Sequence, residues 1–115
     1  MKVIIAGGRY FEDYTELCQY CDKVLQNQIN IEIVSGGARG ADTLGEKYAK
    51  ERNYRLKLFP AAWSKFGRSA GVIRNAEMAK YATILIAFWD GKSRGTRSMI
   101  NLAEKEGLKV YVHYY

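Results

Sequence analysis

The chain has 115 residues, 48% of them hydrophobic, enough apolar material for one compact domain whose core needs no disulfide or metal staple. A single Pro, 26% charged residues and no low-complexity tract exclude extended disorder; no apolar run reaches the roughly 18 residues of a membrane span, and the apolar start Val3-Ile4-Ile5-Ala6 is too short for a signal peptide, so a cytoplasmic location is expected. The net charge of +6, from 18 Lys and Arg against 12 Asp and Glu, favours anionic partners without naming the anion.

Strand and helix patterns alternate along the chain. Lys2 to Ala6 is β-branched and apolar, and Gly7-Gly8-Arg9 ends it. From about Asp13 to Gln28, Leu17, Cys18, Cys21, Val24 and Leu25 recur at helical spacing. The Cys-x-x-Cys pair lies too deep in that helix for a redox motif, and no second pair completes a zinc site, so it reads as two small half-buried residues and no metal is expected. Ile31 to Val34 is a second strand, a helix follows from about Ala41 to Arg52, and Arg55 to Phe59 alternates as a third strand before Pro60. Residues 60–68 read as one long loop carrying Trp63, Lys65, Phe66 and Arg68. A helix over about Ala70 to Tyr81 leads into the most apolar run, Ile84 to Trp89, which has the character of a strand buried on both faces. After the loop Asp90 to Gly95, the last helix is expected from about Thr96 to Glu106, with Gly107 as C-cap. Lys109 to Val112 then closes the sheet, leaving His113 in an incidental tail.

Five strands separated by four helices imply a single Rossmann-like α/β domain over residues 1–115, a three-layer structure with a parallel sheet. The expected strand order is 3-2-1-4-5. Ligands in such sheets bind beyond the carboxyl ends of the strands, where the order reverses. The loops converging there, Gly7–Arg9, Ser35–Asp42 and Asp90–Thr96, are the glycine-rich loops of the sequence.

The segment Ser35-Gly36-Gly37-Ala38-Arg39-Gly40-Ala41-Asp42 follows a strand and opens a helix, so its amides and the helix dipole face an incoming anion. Its glycines allow close backbone approach and positive φ. It matches neither a Walker loop nor a Gly-x-Gly-x-x-Gly fingerprint, and Asp42 is expected to cap the helix. Gly91-Lys92-Ser93-Arg94-Gly95-Thr96 repeats the logic, with Thr96 as cap and the hydroxyls of Ser93 and Thr96 as donors to phosphate oxygens. Arg9 is placed to clamp an anion with its planar fork. Arg74 and Asn75 are expected to face the same crevice, Arg74 turned to solvent, while Trp63, Phe66 and Trp89 are candidates to stack on a base. The candidate ligand set is thus Gly7, Gly8, Arg9, Ser35, Gly36, Gly37, Ala38, Arg39, Gly40, Asp42, Arg74, Asn75, Trp89, Gly91, Ser93, Gly95 and Thr96.

Ile4-Ile5-Ala6-Gly7-Gly8-Arg9, Ser35 to Asp42, Arg74-Asn75-Ala76-Glu77-Met78-Ala79 and Gly95-Thr96, in this order and spacing, resemble the SLOG superfamily of Rossmann-like domains, in particular its small stand-alone members. The resemblance implies a nucleotide-derived ligand, such as a nucleotide, a cyclic or oligonucleotide signal or an ADP-ribose-like molecule, bound by a sensor, carrier or sequestering module. It also implies homo-oligomers, commonly dimers, and no membrane partner. Two relatives within it pull in different directions. Arg74-Asn75-Ala76-Glu77-Met78 resembles the Arg-Lys-x-x-Met motif of the lonely-guy phosphoribohydrolases. Gly95-Thr96-Arg97-Ser98-Met99 resembles the end of their second motif, but Met99 stands where their catalytic Glu belongs. A thioether can neither act as a general base nor stabilise an oxocarbenium-like sugar by charge. An N-glycosidic or phosphate-bond hydrolase would therefore need Arg74 with a carboxylate such as Asp90, Asp42 or Glu46. The Rossmann domain of DNA-processing protein A has a similar Ser-Gly-x-Ala-x-Gly-Ile-Asp loop and Arg-Asn segment, which implies weak single-stranded nucleic-acid binding as a further alternative.

Overall fold

A computed structural model describes residues 1–115 and places the strands in one all-parallel sheet of order β3-β2-β1-β4-β5, the order expected from the sequence. The strands are β1 (Lys2–Gly7), β2 (Glu32–Ser35), β3 (Arg55–Leu58), β4 (Ile84–Trp89) and β5 (Lys109–Tyr114). The helices are α1 (Tyr14–Leu25), α2 (Ala41–Glu51), α3 (Trp63–Phe66), α4 (Ala70–Tyr81) and α5 (Arg94–Lys105).

The period of two explains why the central strands read as unbroken apolar runs. Val3 and Ile5 of β1, with Ile84, Ile86 and Phe88 of β4, enter a core that α1 and α2 close with Leu17, Cys21, Tyr48 and Ala49. Ile4 and Ala6, with Leu85 and Ala87, enter the opposite core, closed by Met78 and Ala79 of α4 and Met99, Ile100 and Ala103 of α5. Both faces of β1 and β4 are thus covered, and no helix is long and apolar enough to cross a membrane. Cys21 is fully buried among these residues, and burial pushes its thiol well above the usual range.

Five local expectations are corrected. The 60–68 stretch is not a plain loop: Lys65 and Phe66 donate to the Ala62 carbonyl at 3.0 and 2.9 Å, closing α3, and a 3-10 turn over Gly67–Ser69 runs into α4. One turn is too short to show a helical period. The last helix starts at Arg94, because Asp90 Oδ1 accepts from the amides of Lys92 and Ser93 at 2.8 Å each and folds the loop early. Ser93, not Thr96, is then the N-cap, its Oγ accepting from the Thr96 amide at 3.4 Å. Asp42 is likewise no cap, for Gly40 holds that place and Asp42 sits inside the first turn of α2. Finally β5 runs on through Tyr114, which puts His113 in the sheet opposite Phe88. There His113 packs on Tyr20 and pairs with Glu16 at 3.0 Å, so it is a structural residue and not an incidental one. Gly107 ends α5 at φ +81 as expected of a left-handed cap.

A candidate ligand cleft at the strand-order reversal

A cleft of about 1060 Å³ opens beyond the carboxyl ends of β1, β2 and β4. The sheet topology puts it there: β1 continues to β2 on one side and to β4 on the other, so the loops after these three strands diverge and leave a gap. All three glycine-rich loops contribute to its walls, as do Arg74 and Asn75 of α4.

The first loop brings Gly7, Gly8 and Arg9 to the wall. The Gly8 carbonyl accepts from the amides of Phe11 at 3.3 Å and Ala41 at 3.2 Å, which ties the end of β1 to the start of α2. Arg9 is exposed at the rim.

The second loop is braced from inside. Ser35 is buried beneath it, donating from Oγ to Glu46 Oε2 at 2.7 Å and accepting from the Gly37 amide at 3.1 Å. Thr43 Oγ1 donates to the Ala38 carbonyl at 2.8 Å. Asp42 turns back from α2, and its Oδ2 accepts from the Ala38 amide at 3.4 Å. Gly36, Gly37, Ala38, Arg39 and Asp42 reach the cleft wall, whereas Ser35 and Gly40 lie behind it. Burial raises the Asp42 carboxyl to about 6, although the Ala38 amide, Arg74 and the Gly7 amide all pull it down. Nearby Glu46 adds to the rise.

Arg74 is half-buried rather than turned to solvent. Its Nη1 donates to the Gly36 carbonyl and its Nε to Asn75 Oδ1 at 2.8 Å, so it links α4 to the β2–α2 loop. In the third loop Asp90, Ser93, Gly95 and Thr96 line the wall, while Gly91 and Trp89 do not. The indole Nε1 of Trp89 donates to the Ser93 carbonyl at 3.0 Å, and the ring packs against Tyr114 and Arg97. The amides of Ser93 and Lys92 hold the Asp90 carboxyl below the usual range, so it stays ionised as a brace of the loop.

Several lining residues were not selected from the sequence. Tyr10, Arg68, Lys92 and Tyr115 are at the wall, and Met78 and Met99 form part of the floor from within the α4–α5 core. Tyr115 reaches the cleft because β5 is long, and its hydroxyl lies against Gly8, where a Cβ would collide with it. That contact joins residues 8 and 115 and leaves no local signal in the sequence.

The lining is electropositive. Arg9, Arg39, Arg68, Arg74 and Lys92 face it against only Asp42 and Asp90. The Asp22–Arg52 ion pair and the Glu16–His113 contact lie elsewhere, and none of the five cations comes within 4.0 Å of a carboxylate oxygen. The N-termini of α2 and α5 open on the same space and add their partial positive charge. No three His, Cys, Asp or Glu side chains are grouped as a metal site requires.

Fold and cleft together define a Rossmann-like α/β domain with glycine-rich strand ends gathered at the switch point. The chain belongs to the YAcAr (YspA, cpYpsA-related) SLOG family, whose model matches residues 1–66, the part carrying the first two loops. It is similar to the Gene 61 protein of Mycobacterium phage D29, with 34% identity over 116 residues covering 95% of this chain and 93% of that one. Its fold is that of part of DNA processing protein A (DprA) from Streptococcus pneumoniae, at a TM-score of 0.76 and 20% identity. The match covers 96% of this chain and 49% of that structure, so the chain spans about half of that protein.

Proposed function

We propose that the cleft binds a phosphate-bearing, nucleotide-derived ligand and that the protein acts as a module that senses, carries or sequesters it. The observation that carries this reading is the excess of positive charge around two helix N-termini, five cations against the carboxylates of Asp42 and Asp90. That excess favours an added anion, and phosphate answers both the amides and the guanidinium forks. The volume suits a ligand of nucleotide or dinucleotide size. SLOG membership agrees with a nucleotide-related role.

The test is a thermal-shift series with ADP, ADP-ribose and inorganic pyrophosphate. A ligand that binds only the folded state raises its stability by about 2.7 kcal/mol at a hundredfold excess over Kd. Arg9 and Arg39 are exposed, line the cleft and make no hydrogen bond or ion pair with the rest of the chain, so Arg9→Ala and Arg39→Ala test ligand contacts without disturbing the fold. Each should weaken binding about tenfold, the value of one charge-assisted hydrogen bond, and leave the unliganded melting temperature unchanged. Lys50→Ala, an exposed cation on the last turn of α2, should change neither. If none of the three compounds shifts the melting temperature, the reading fails.

A hydrolytic role is the second reading, and Asp42 is the observation behind it. A carboxyl near 6 beside Arg74, on the cleft wall, is tuned for proton transfer at neutral pH. Met99, by contrast, is buried in the floor and offers no such group. Chromatography of ADP or ADP-ribose after incubation tests it: released base or phosphate, abolished by Asp42→Asn, would establish turnover.

A further inference from the structure

The three loops supply most of the cations of the cleft, Arg9, Arg39 and Lys92, whereas the segment from Pro60 to Val72 supplies four apolar residues, Pro60, Ala61, Trp63 and Val72, and one cation, Arg68. Within that segment Trp63 is 55% exposed and Val72 is 53% exposed, whereas the other tryptophan, Trp89, is half-buried. Trp63 sits on the one-turn helix α3, and its Cη2 lies 3.5 Å from where a Cβ on Gly71 would be. The indole therefore rests against the first turn of α4 at a residue without a side chain, and its remaining surface is open to the cleft.

The other aromatic groups are occupied or elsewhere. Trp89 is held by the Ser93 carbonyl, Arg97 and Tyr114 and does not line the cleft. Phe66 is outside the lining, with Lys65 over its ring. Tyr115 is packed on Phe11 at 4.8 Å between ring centroids. Tyr10 is 83% exposed and follows Arg9 in the polar loop, away from Pro60, Ala61 and Val72 in the chain.

We infer that Trp63, with Pro60, Ala61 and Val72, forms a stacking subsite for the planar heterocycle of the ligand, so that the cleft selects nucleotides over bare phosphates. This rests on the proposed phosphate-binding role of the loops. An indole stacks well on a purine or pyrimidine face, and an apolar collar strengthens the contact by displacing loosely held water. The ligand class is then an aromatic base joined to phosphate, held at two ends of one cleft.

The experiment compares ADP with inorganic pyrophosphate, which share a diphosphate and differ in the base. In Trp63→Ala, ADP affinity should fall about tenfold or more, the usual loss when a stacking platform is removed, while pyrophosphate affinity stays as in the parent protein. Trp63→Phe should restore most of the ADP affinity. A direct readout comes from Trp89→Phe, which leaves Trp63 as the one tryptophan of the chain. ADP should quench its emission and pyrophosphate should not. The inference is overturned if Trp63→Ala binds ADP as tightly as the parent, or if Tyr10→Ala rather than Trp63→Ala removes the preference for ADP. Unchanged pyrophosphate binding in those cases would leave the phosphate role standing, whereas a parent protein that binds none of ADP, ADP-ribose and pyrophosphate would remove both.

Discussion

Asp42→Asn is expected to stabilise the protein by about 3 kcal/mol at about pH 8 and to do little at about pH 4. The folded carboxyl titrates at about 6, against 3.8 for an ordinary aspartate. As pH rises between these values the unfolded chain gives up its proton while the folded one keeps it. Folding therefore binds a proton, and stability falls through this window until both states are ionised above about pH 7. Asparagine removes the charge and keeps an oxygen for the Ala38 amide. The effect should appear in calorimetry as a rise in melting temperature of about 10 °C at the higher pH. The comparison must be made between variant and parent at each pH. Asp22 is held below the usual range chiefly by its hydrogen bond to Arg52, so it adds stability as pH rises through the acid range, in both proteins alike. An equal melting temperature for the two proteins at pH 8 would contradict the account of Asp42 as a group ionised against its surroundings.

That account bears on function. An ionised carboxylate has been kept in a nearly dry position, beside an arginine, on the wall of the cleft. Stability alone would favour a neutral residue, which makes Asp42 a candidate for a role toward the loop or a ligand. It shares the Ala38 amide and the field of Arg74 with any phosphate that enters, and bound phosphate should raise its pKa further by like-charge repulsion.

The sheet was readable from the sequence because its signals are local. The run Ile84 to Trp89 has the length and apolar character of a strand buried on both faces, and its neighbours alternate in period with helices of ordinary length. The bounds of α4, Ala70 to Tyr81, follow from the same periodicity. The glycine-rich loops pointed to the switch point, since topology alone fixes where such loops meet. What escaped was tertiary. Ser35 and Gly40 carry the glycine-rich pattern as fully as their neighbours, yet one bonds Glu46 beneath the loop and the other packs on the backbone at Gly8. Trp89 and Trp63 are equally aromatic, and only their hydrogen bonds and packing separate a structural indole from an available one. Ser93 displaced Thr96 as cap because Asp90 pulls two amides back into the loop, a bond set by geometry rather than by propensity.

Gly37 and Gly40 separate the glycine of the site from the glycine of the fold, and their variants should fail in opposite ways. Both have a left-handed backbone, at φ +74 and +79. A side chain strains the backbone by about 1–3 kcal/mol, and Gly40, with ψ −126, lies near the region almost reserved to glycine. The surroundings decide the rest. A Cβ on Gly40 would run into the Gly8 carbonyl and stand 2.6 Å from the Arg9 carbonyl carbon, backbone atoms that cannot swing aside. Gly40→Ala must therefore push the start of α2 off the end of β1, breaking the Ala41 amide bond to Gly8, and should cost about 3 kcal/mol or more in total. A Cβ on Gly37 would have no heavy atom within 4 Å, because it projects into open space at the cleft. Gly37→Val should fold, with a loss confined to the backbone strain, and should abolish the rise in melting temperature that ADP or pyrophosphate produces. The branched side chain would hold a phosphate away from the backbone of the loop. Chemical denaturation and the thermal-shift series separate the two losses. Full ligand affinity in a folded Gly37→Val protein would mean that the anion site lies elsewhere than in this loop.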